Sequence, residues 1–306
     1  MHCLVIGGGG FLGSNLAAAL CRAGEQVRCF DVRLTPAVPL PASCEMMLGD
    51  LTQESDIAKA LDGIEVVFHM AAPFWIAESQ RQPARDIELN LVRGVQLLAL
   101  CVKQQVRRIV FPSSGGAVYG VTRRDRLAET DPALPVVSYG IIKFALERYL
   151  AMFHESSGLE YAALRLSNPY GPGQAPNRGQ GVIPTMMECA KTGVPFHLFA
   201  ALQTRRDYLY VDDAVAALVA AGKKEGVLAE VLNIGSGQGM DLTGLIAAVE
   251  AVTGKELVVE VQPPRGFDAP SNVLDCARAK AVLGWEPTTS LETGLQKTWA
   301  WIQSLK

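Results

Sequence analysis

The chain lacks the features that mark several large protein classes. Its seven cysteines, at 3, 21, 29, 44, 101, 189 and 276, form no Cys-x-x-Cys pair and no zinc-like spacing. Four histidines add no ligand pattern, so no metal is expected. No apolar run approaches the roughly 18 residues of a membrane span. Lysine and arginine (28) nearly balance aspartate and glutamate (31), which argues against a nucleic-acid or anionic-membrane surface. No G-x-S-x-G marks a hydrolase nucleophile. The opening MHCLVIGGGG reads straight into a strand and leaves no room for a signal peptide, so a reduced cytoplasmic setting is expected. Cys3 and Cys29 sit in apolar strand-like runs and read as small buried hydrophobes.

What is present is apolar residue in quantity and a regular rhythm. With 306 residues, 49% of them hydrophobic, the chain suits one large α/β unit with a smaller lobe. Leu4-Val5-Ile6 and residues 27–31 read as strands, and further strand-like runs fall at 45–49, 65–69, 107–112 and 160–166. Helical spacing occupies 11–23, 87–105 and 139–155. Such alternation predicts a doubly wound parallel sheet. After residue 167 the chain becomes rich in Pro, Gly and Asn, then offers a strand at 231–234, a helix at 241–253, a strand near 257–261 and a closing helix at 290–304. Residues 1–166, with about 210–235 returning to them, are expected to form a nucleotide-binding domain. Segments 167–209 and 236–306 are expected to build the smaller lobe.

The first turn carries Gly7-Gly8-Gly9-Gly10-Phe11-Leu12-Gly13, between a strand and a helix. Glycines at 7, 10 and 13 allow a sharp turn and let the backbone at Phe11 and Leu12 approach a pyrophosphate at the helix N-terminus. Asp31, at the end of the next strand, would accept hydrogen bonds from ribose hydroxyls and repel a 2′-phosphate, which favours NAD over NADP; Arg33 nearby softens that preference. Asp50-Leu51, after the third strand, is a plausible adenine contact, although Gly-Asp is also ordinary turn chemistry.

In mid-chain stands Ser138-Tyr139-Gly140-Ile141-Ile142-Lys143. Residues four apart share a helix face, so Tyr139 and Lys143 can address one cleft. A phenol of pKa about 10 is a poor base at neutrality, and lowering it by about three units takes roughly 4 kcal/mol. An adjacent ammonium and a positive nicotinamide act in that direction. The preceding strand ends in Ser113-Ser114, which offers a hydroxyl.

With these residues, the chain resembles the extended short-chain dehydrogenase/reductases, and among them the nucleotide-sugar epimerases and dehydratases. The likeness runs nearly end to end. It includes His69-Met70-Ala71-Ala72, Asn90-x-x-x-Gly94, Ser113 to Gly120, Arg165-x-x-Asn168-Pro169-Tyr170-Gly171, Arg206-Asp207-Tyr208 and Arg265 to Asp268. The resemblance implies bound NAD, contacted also by Ala71 and Asn90, with Tyr139 taking a proton from the sugar 4-hydroxyl. It implies a 4-keto sugar that turns over before the hydride returns, and a homodimer joined through helices at 87–105 and 139–155. The family's hydroxyl residue would fall at Gly115; Ser114 or Ser113 could replace it, or both serines could simply satisfy strand-end amides. Gly116 and Ala117 lack the acidic side chains that related 4,6-dehydratases and uronate decarboxylases use there.

For the substrate, the resemblance places Arg206 and Arg265 on a nucleotide-sugar diphosphate, with a UDP-hexose favoured. A guanidinium forks onto phosphate oxygens and stays charged. Asn168 would donate to phosphate, Val182 would present backbone to the base, and Phe199 would stack on it or sit in the core. Asp268 completes the matching segment. Phe74-Trp75 and Asn272 fall where relatives face the hexose. Two rivals remain at this stage: a keto-sugar or carbonyl reductase of the same fold, and a catalytically silent NAD-binding sensor.

Overall fold

Leu4, Val5 and Ile6 are all buried, which requires a strand covered on both faces. The computed structural model describes residues 1–122, 124–176, 181–263 and 269–305. Six strands come first: β1 (His2–Ile6), β2 (Gln26–Asp31), β3 (Glu45–Leu48), β4 (Val66–His69), β5 (Arg108–Ser114) and β6 (Glu160–Leu166). Between and after them lie α1 (Phe11–Arg22), α2 (Glu54–Ala60), α3 (Ile76–Arg81), α4 (Pro83–Asp86), α5 (Arg93–Lys103) and α6 (Ser138–Ser157). The later chain supplies β7 (Asn168–Tyr170), α7 (Val182–Thr192), β8 (Phe196–Leu198), β9 (Arg205–Tyr210), α8 (Val211–Lys223) and β10 (Ala229–Ile234). Last come β11 (Gly239–Asp241), α9 (Leu242–Thr253), β12 (Val259–Val261), β13 (Ser271–Asn272), α10 (Ala277–Leu283) and α11 (Leu291–Ser304).

The central sheet has the order β10-β6-β5-β4-β1-β2-β3, and every pairing in it is parallel. Its two faces follow from the two-residue period of a strand. Cys3 and Val5 join one core with Leu16 and Leu20 of α1 and Leu218 of α8. Leu4 and Ile6 join the other with Ile57 of α2, Leu97 of α5 and Leu146 of α6. This is the doubly wound α/β arrangement. The chain runs outward from β1 through β2 to β3, then crosses to β4 and runs the other way. A crevice therefore opens at the carboxyl ends of β1 and β4, where such sheets hold ligands.

The second sheet is small: β9 pairs with β7 and β13 in parallel and with β11 antiparallel, while β8 and β12 form a separate parallel pair. Helices α7, α9 and α11 contact one another beside it. Asp213 of α8 ties this region to the central sheet. Its carboxylate accepts from Thr288 N, Thr288 Oγ1 and Thr289 N, and its carbonyl accepts from Trp285 Nε1.

One element differs from the sequence pattern. Instead of a single α-helix over 87–105, the chain makes a π-helical stretch over Ile87–Val92 that leads into α5, and two short helices, α3 and α4, precede it. The wider turn is tolerated because packing, not propensity, fixes this segment, and such bulges recur at functional sites.

Candidate active site

The turn after β1 is set by backbone contact. Gly7 has φ +80°, and a Cβ there would lie 2.7 Å from the Ala71 amide nitrogen at the end of β4. A Cβ on Gly13 would lie 2.1 Å from the Gly7 carbonyl oxygen. Only glycine lets α1 start this close to the sheet. Gly7 N donates to Phe30 O (2.8 Å), pinning the turn to β2. Gly10 is the N-cap of α1 and offers no side-chain acceptor, so the helix dipole and the first amides, at Phe11 and Leu12, face an opening that suits an anion. A cradle this tight and without side chains fits a dinucleotide pyrophosphate.

Asp31 closes the next strand, and its Oδ2 accepts from Gly9 N at 2.9 Å while Oδ1 accepts from Arg33 N at 3.1 Å. Carboxylate oxygens retain further acceptor capacity, so a ribose diol remains a suitable partner. Asp50 is exposed and Leu51 half-buried, with Asp50 Oδ1 accepting from Thr52 N as a local turn bond.

Across the crevice, Tyr139 and Lys143 do share one face of α6. They line a small cleft with Ala71, Asp86, Asn90 and Phe111. Lys143 is buried; its Nζ donates to Pro112 O (2.7 Å) and lies 4.5 Å from the Phe111 ring centroid and 5.6 Å from that of Tyr139. Burial lowers the Lys143 ammonium to about 8, against the opposing pull of Asp86 and Glu147. The chain's own groups by themselves do not lower the phenol. Burial first, and the Asp86 charge second, push Tyr139 up to about 12. Desolvation of a phenolate outweighs an ammonium more than 5 Å away and bonded to a carbonyl.

Asp86 is the functional neighbour that sequence reasoning missed. It is 1% exposed, and its two oxygens accept from Ser79 Oγ and Asn90 Nδ2. Its signal was an acid four residues before Asn90 on a segment with helical patterning. His69, at the end of β4, is also buried beside this cleft; burial, then the Lys143 charge, lowers its ring to about 3.

The two serines part company. Ser113 is buried and donates to Glu147 Oε1 (2.5 Å), whose carboxylate also takes Arg165 Nε (3.0 Å) and Nη2 (2.7 Å). Its hydroxyl is committed to that buried ion pair, which removes it as the proton-relay partner expected above. Ser114 is half-buried, and its hydroxyl makes no hydrogen bond among the described residues. Gly115 is glycine for a steric reason: a Cβ there would lie 2.5 Å from Leu274 Cδ1 and 3.2 Å from Arg165 O. Leu274 is fully buried, so room for a hydroxyl at this position is already filled.

The residues expected on substrate are scattered more widely. Asn168 and Arg206 lie on the small sheet, Asn168 opposite Tyr208 and Arg206 between Met240 and Asn272. Asn168 Nδ2 donates to Asp207 O (2.9 Å), and Arg206 Nη1 donates to Ala269 O (2.7 Å). Asn272 Nδ2 donates to Gly115 O (2.9 Å), joining this sheet to the end of β5; its Oδ1 is buried with no partner among the described residues. Val182 begins α7 behind Gly181, which holds φ +85°. Phe199 is 45% exposed after β8, apart from the Asn168–Arg206 sheet, and Trp75 is 38% exposed. Arg265 and Asp268 lie outside the described residues. Among the described residues no group of three or more His, Cys, Asp or Glu side chains is arranged to hold a metal ion.

A glycine cradle at a sheet switch point, an acid closing the next strand, and a Tyr/Lys pair across the crevice define a dinucleotide-binding α/β enzyme. The chain belongs to the NAD dependent epimerase/dehydratase family, whose profile matches residues 3–235. It is 32% identical over 303 residues to the dTDP-4-dehydro-6-deoxyglucose reductase of Escherichia coli, covering 96% of this chain and 95% of that one. It is 33% identical over 305 residues to the UDP-glucose 4-epimerase of Mycolicibacterium smegmatis, covering 97% of each. The crystal structure of the Thermotoga maritima UDP-glucose 4-epimerase with UDP-glucose superposes with a TM-score of 0.93 at 36% identity over 99% of both chains. No helix among the described residues is long and apolar enough to cross a membrane.

Proposed function

We propose that this chain is an NAD-dependent nucleotide-sugar 4-epimerase that inverts C4 of a hexose, best matched to a UDP-hexose, through a transient 4-keto sugar. One observation carries the reading. Tyr139 and Lys143 face a cleft that also contains Ala71, and the Ala71 amide abuts the Gly7 turn where the dinucleotide phosphates would lie.

In this reading Gly7, Gly10 and Gly13 clear space for the pyrophosphate, and the amides of Phe11 and Leu12 bind it. Asp31 holds the adenosine ribose, Asp50 and Leu51 flank the adenine, and Ala71, Asn90 and Lys143 position the nicotinamide half. When bound, NAD accepts and returns the hydride and places a positive charge beside the phenol. Tyr139 removes the proton from the sugar 4-hydroxyl and restores it after the keto sugar has turned over. A phenol raised to about 12 cannot do this unaided, so a cation beside it is a requirement of the site. Ser114, the free hydroxyl at the end of β5, orders the substrate oxygen.

The segments 167–209 and 236–306 serve as the nucleotide-sugar lobe, with Asn168, Arg206 and Arg265 on the diphosphate and Val182, Phe199 and Asp268 nearer the base and sugar. A homodimer is supported by an exposed apolar stripe on α6, Ile141, Tyr149 and Met152, beside exposed Ile87 and Val92. Seven free cysteines suit a cytoplasmic location.

The E. coli reductase relative favours a second reading, net reduction of a keto sugar by NAD(P)H. One experiment separates them. The purified protein is incubated with UDP-, dTDP-, GDP- and CDP-hexoses, C4 configuration is followed by proton NMR, and nicotinamide absorbance is recorded. The epimerase inverts C4 with NAD retained and no net NADH. Stoichiometric NAD(P)H consumption on a 4-keto sugar, with no inversion of any panel member, would overturn the proposal.

A further inference from the structure

Three cysteines converge beneath the glycine turn. Cys29 lies on β2 and is fully buried, while Cys44, just before β3, and Cys21, near the end of α1, are half-buried and pack against the same core. The Cys29 and Cys44 sulfurs are 3.3 Å apart, and Cys21 is near enough to help lower the Cys44 thiol. On its other side Cys29 presses on the cradle: a Cβ on Gly8 would lie 2.8 Å from both Cys29 Cβ and Sγ. Two residues further along β2, Asp31 receives the Gly9 amide.

We propose that Cys29 and Cys44 form a reversible thiol–disulfide site, oxidised by small disulfides of the glutathione class, and that closing the bond loosens the dinucleotide cradle. Cys44 is the entry point because it is the more exposed of the two and its thiol is pulled down to about 7, chiefly by the hydrogen bond with Cys29 and further by Cys21. A thiolate is the attacking species in such exchange. The hydrogen bond with Cys44 first, and burial second, push Cys29 upward, which fits a resolving thiol and not an attacking one.

The chemistry balances in two steps. Cys44 thiolate attacks one sulfur of the small disulfide, forming a mixed disulfide and expelling one small thiolate. Cys29 then gives its proton to that thiolate, attacks the Cys44 sulfur and expels the second small thiolate, which takes up from solvent the proton Cys44 had released on ionising. Two protein thiols are oxidised by two electrons, and one small disulfide is reduced to two thiols. Closing the bond draws sulfurs now 3.3 Å apart to about 2.05 Å, a shift of about 1.2 Å. Cys29 packs closely on Gly8, so a shift of β2 is passed to the glycine turn. The effect on the cofactor rests on the NAD reading above; formation of the bond does not.

The test uses the full-length protein under native conditions with oxidised glutathione. Intact mass should fall by two hydrogens, and a non-reducing peptide map should show a Cys29–Cys44 crosslink that dithiothreitol removes. Cys44→Ser should acquire neither crosslink nor glutathione adduct at this site, and Cys29→Ser should stop at the adduct on Cys44. NAD affinity of the unsubstituted protein should weaken about threefold to tenfold on oxidation and recover on reduction. No crosslink, a Cys21–Cys44 crosslink instead, or a persistent adduct in the unsubstituted protein would overturn the thiol site. A crosslink with unchanged NAD affinity would overturn its coupling to the cradle. If NAD binds in neither state, the cofactor assignment fails while the mapped crosslink still supports the thiol site.

Discussion

The crevice at the glycine turn and the region around the small sheet are built by opposite means. Around the glycine turn, backbone meets backbone: Gly7 against Ala71, Gly13 against Gly7, and Gly9 on the Asp31 carboxylate. Almost any added atom collides, so the identity of each residue is dictated by space. In the lobe, Asn168, Arg206 and Phe199 present half-buried or exposed side chains from short strands and loops. There, in the proposed reading, long side chains on the small sheet would determine what is held. Shape constrains the first region, and chemistry alone constrains the second.

That contrast can be broken most sharply at the chemistry between the two regions. Tyr139→Phe removes the proton carrier and should lower kcat by about 10²- to 10⁴-fold while NAD content, read after denaturation, stays stoichiometric. Parallel loss of NAD would mean that the phenol is a structural member of the cradle. Gly13→Ala tests the region built by shape. A methyl 2.1 Å from the Gly7 oxygen should destabilise the fold by about 2–4 kcal/mol and abolish NAD binding, measured by urea unfolding and fluorescence titration.

Arg206→Ala tests the region built by chemistry: KM for the nucleotide sugar should rise about 10- to 100-fold, with kcat within a few-fold and stability nearly unchanged. A fall in kcat alone would argue that Arg206 does not bind ground-state diphosphate. Gly115→Ser probes the boundary. Because Leu274 fills that space, the new hydroxyl should cost about 1–3 kcal/mol and leave turnover no higher, whereas Ser114→Ala should lower it.

The last test concerns acid. His69 is held near 3, so below 6.5 the unfolded chain binds a proton that the folded chain refuses. Stability from this group is intact above 6.5 and lost as pH falls toward 3, at about 1.4 kcal/mol per unit. His69→Gln should flatten the acid limb of the urea-unfolding free energy by one proton; an unchanged slope would show that His69 is not the group responsible.

Much of the central sheet was legible because its signals are local. Leu4-Val5-Ile6, the glycine run and Asp31 fall within one strand–turn–helix–strand unit, and their spacing encodes the geometry. The same holds for Tyr139 and Lys143, one helical turn apart. What escaped was non-local. The division of 87–105 into a π-helical stretch and α5 depends on packing against α6, and Asp86 gains importance only because folding buries it beside Tyr139 and Lys143. The direction of the Tyr139 shift also required burial to be known.

Sequence by itself determined the α/β alternation, the place where the chain must turn without side chains, and which helix face carries a phenol and an amine. Tertiary structure alone decided which serine keeps a free hydroxyl, why position 115 admits no side chain, and that three cysteines from a helix, a strand and a loop meet under one turn. The reason is range. Backbone dihedrals and helical spacing act over a few residues, whereas burial and the filling of a cavity by Leu274 depend on segments more than a hundred residues apart.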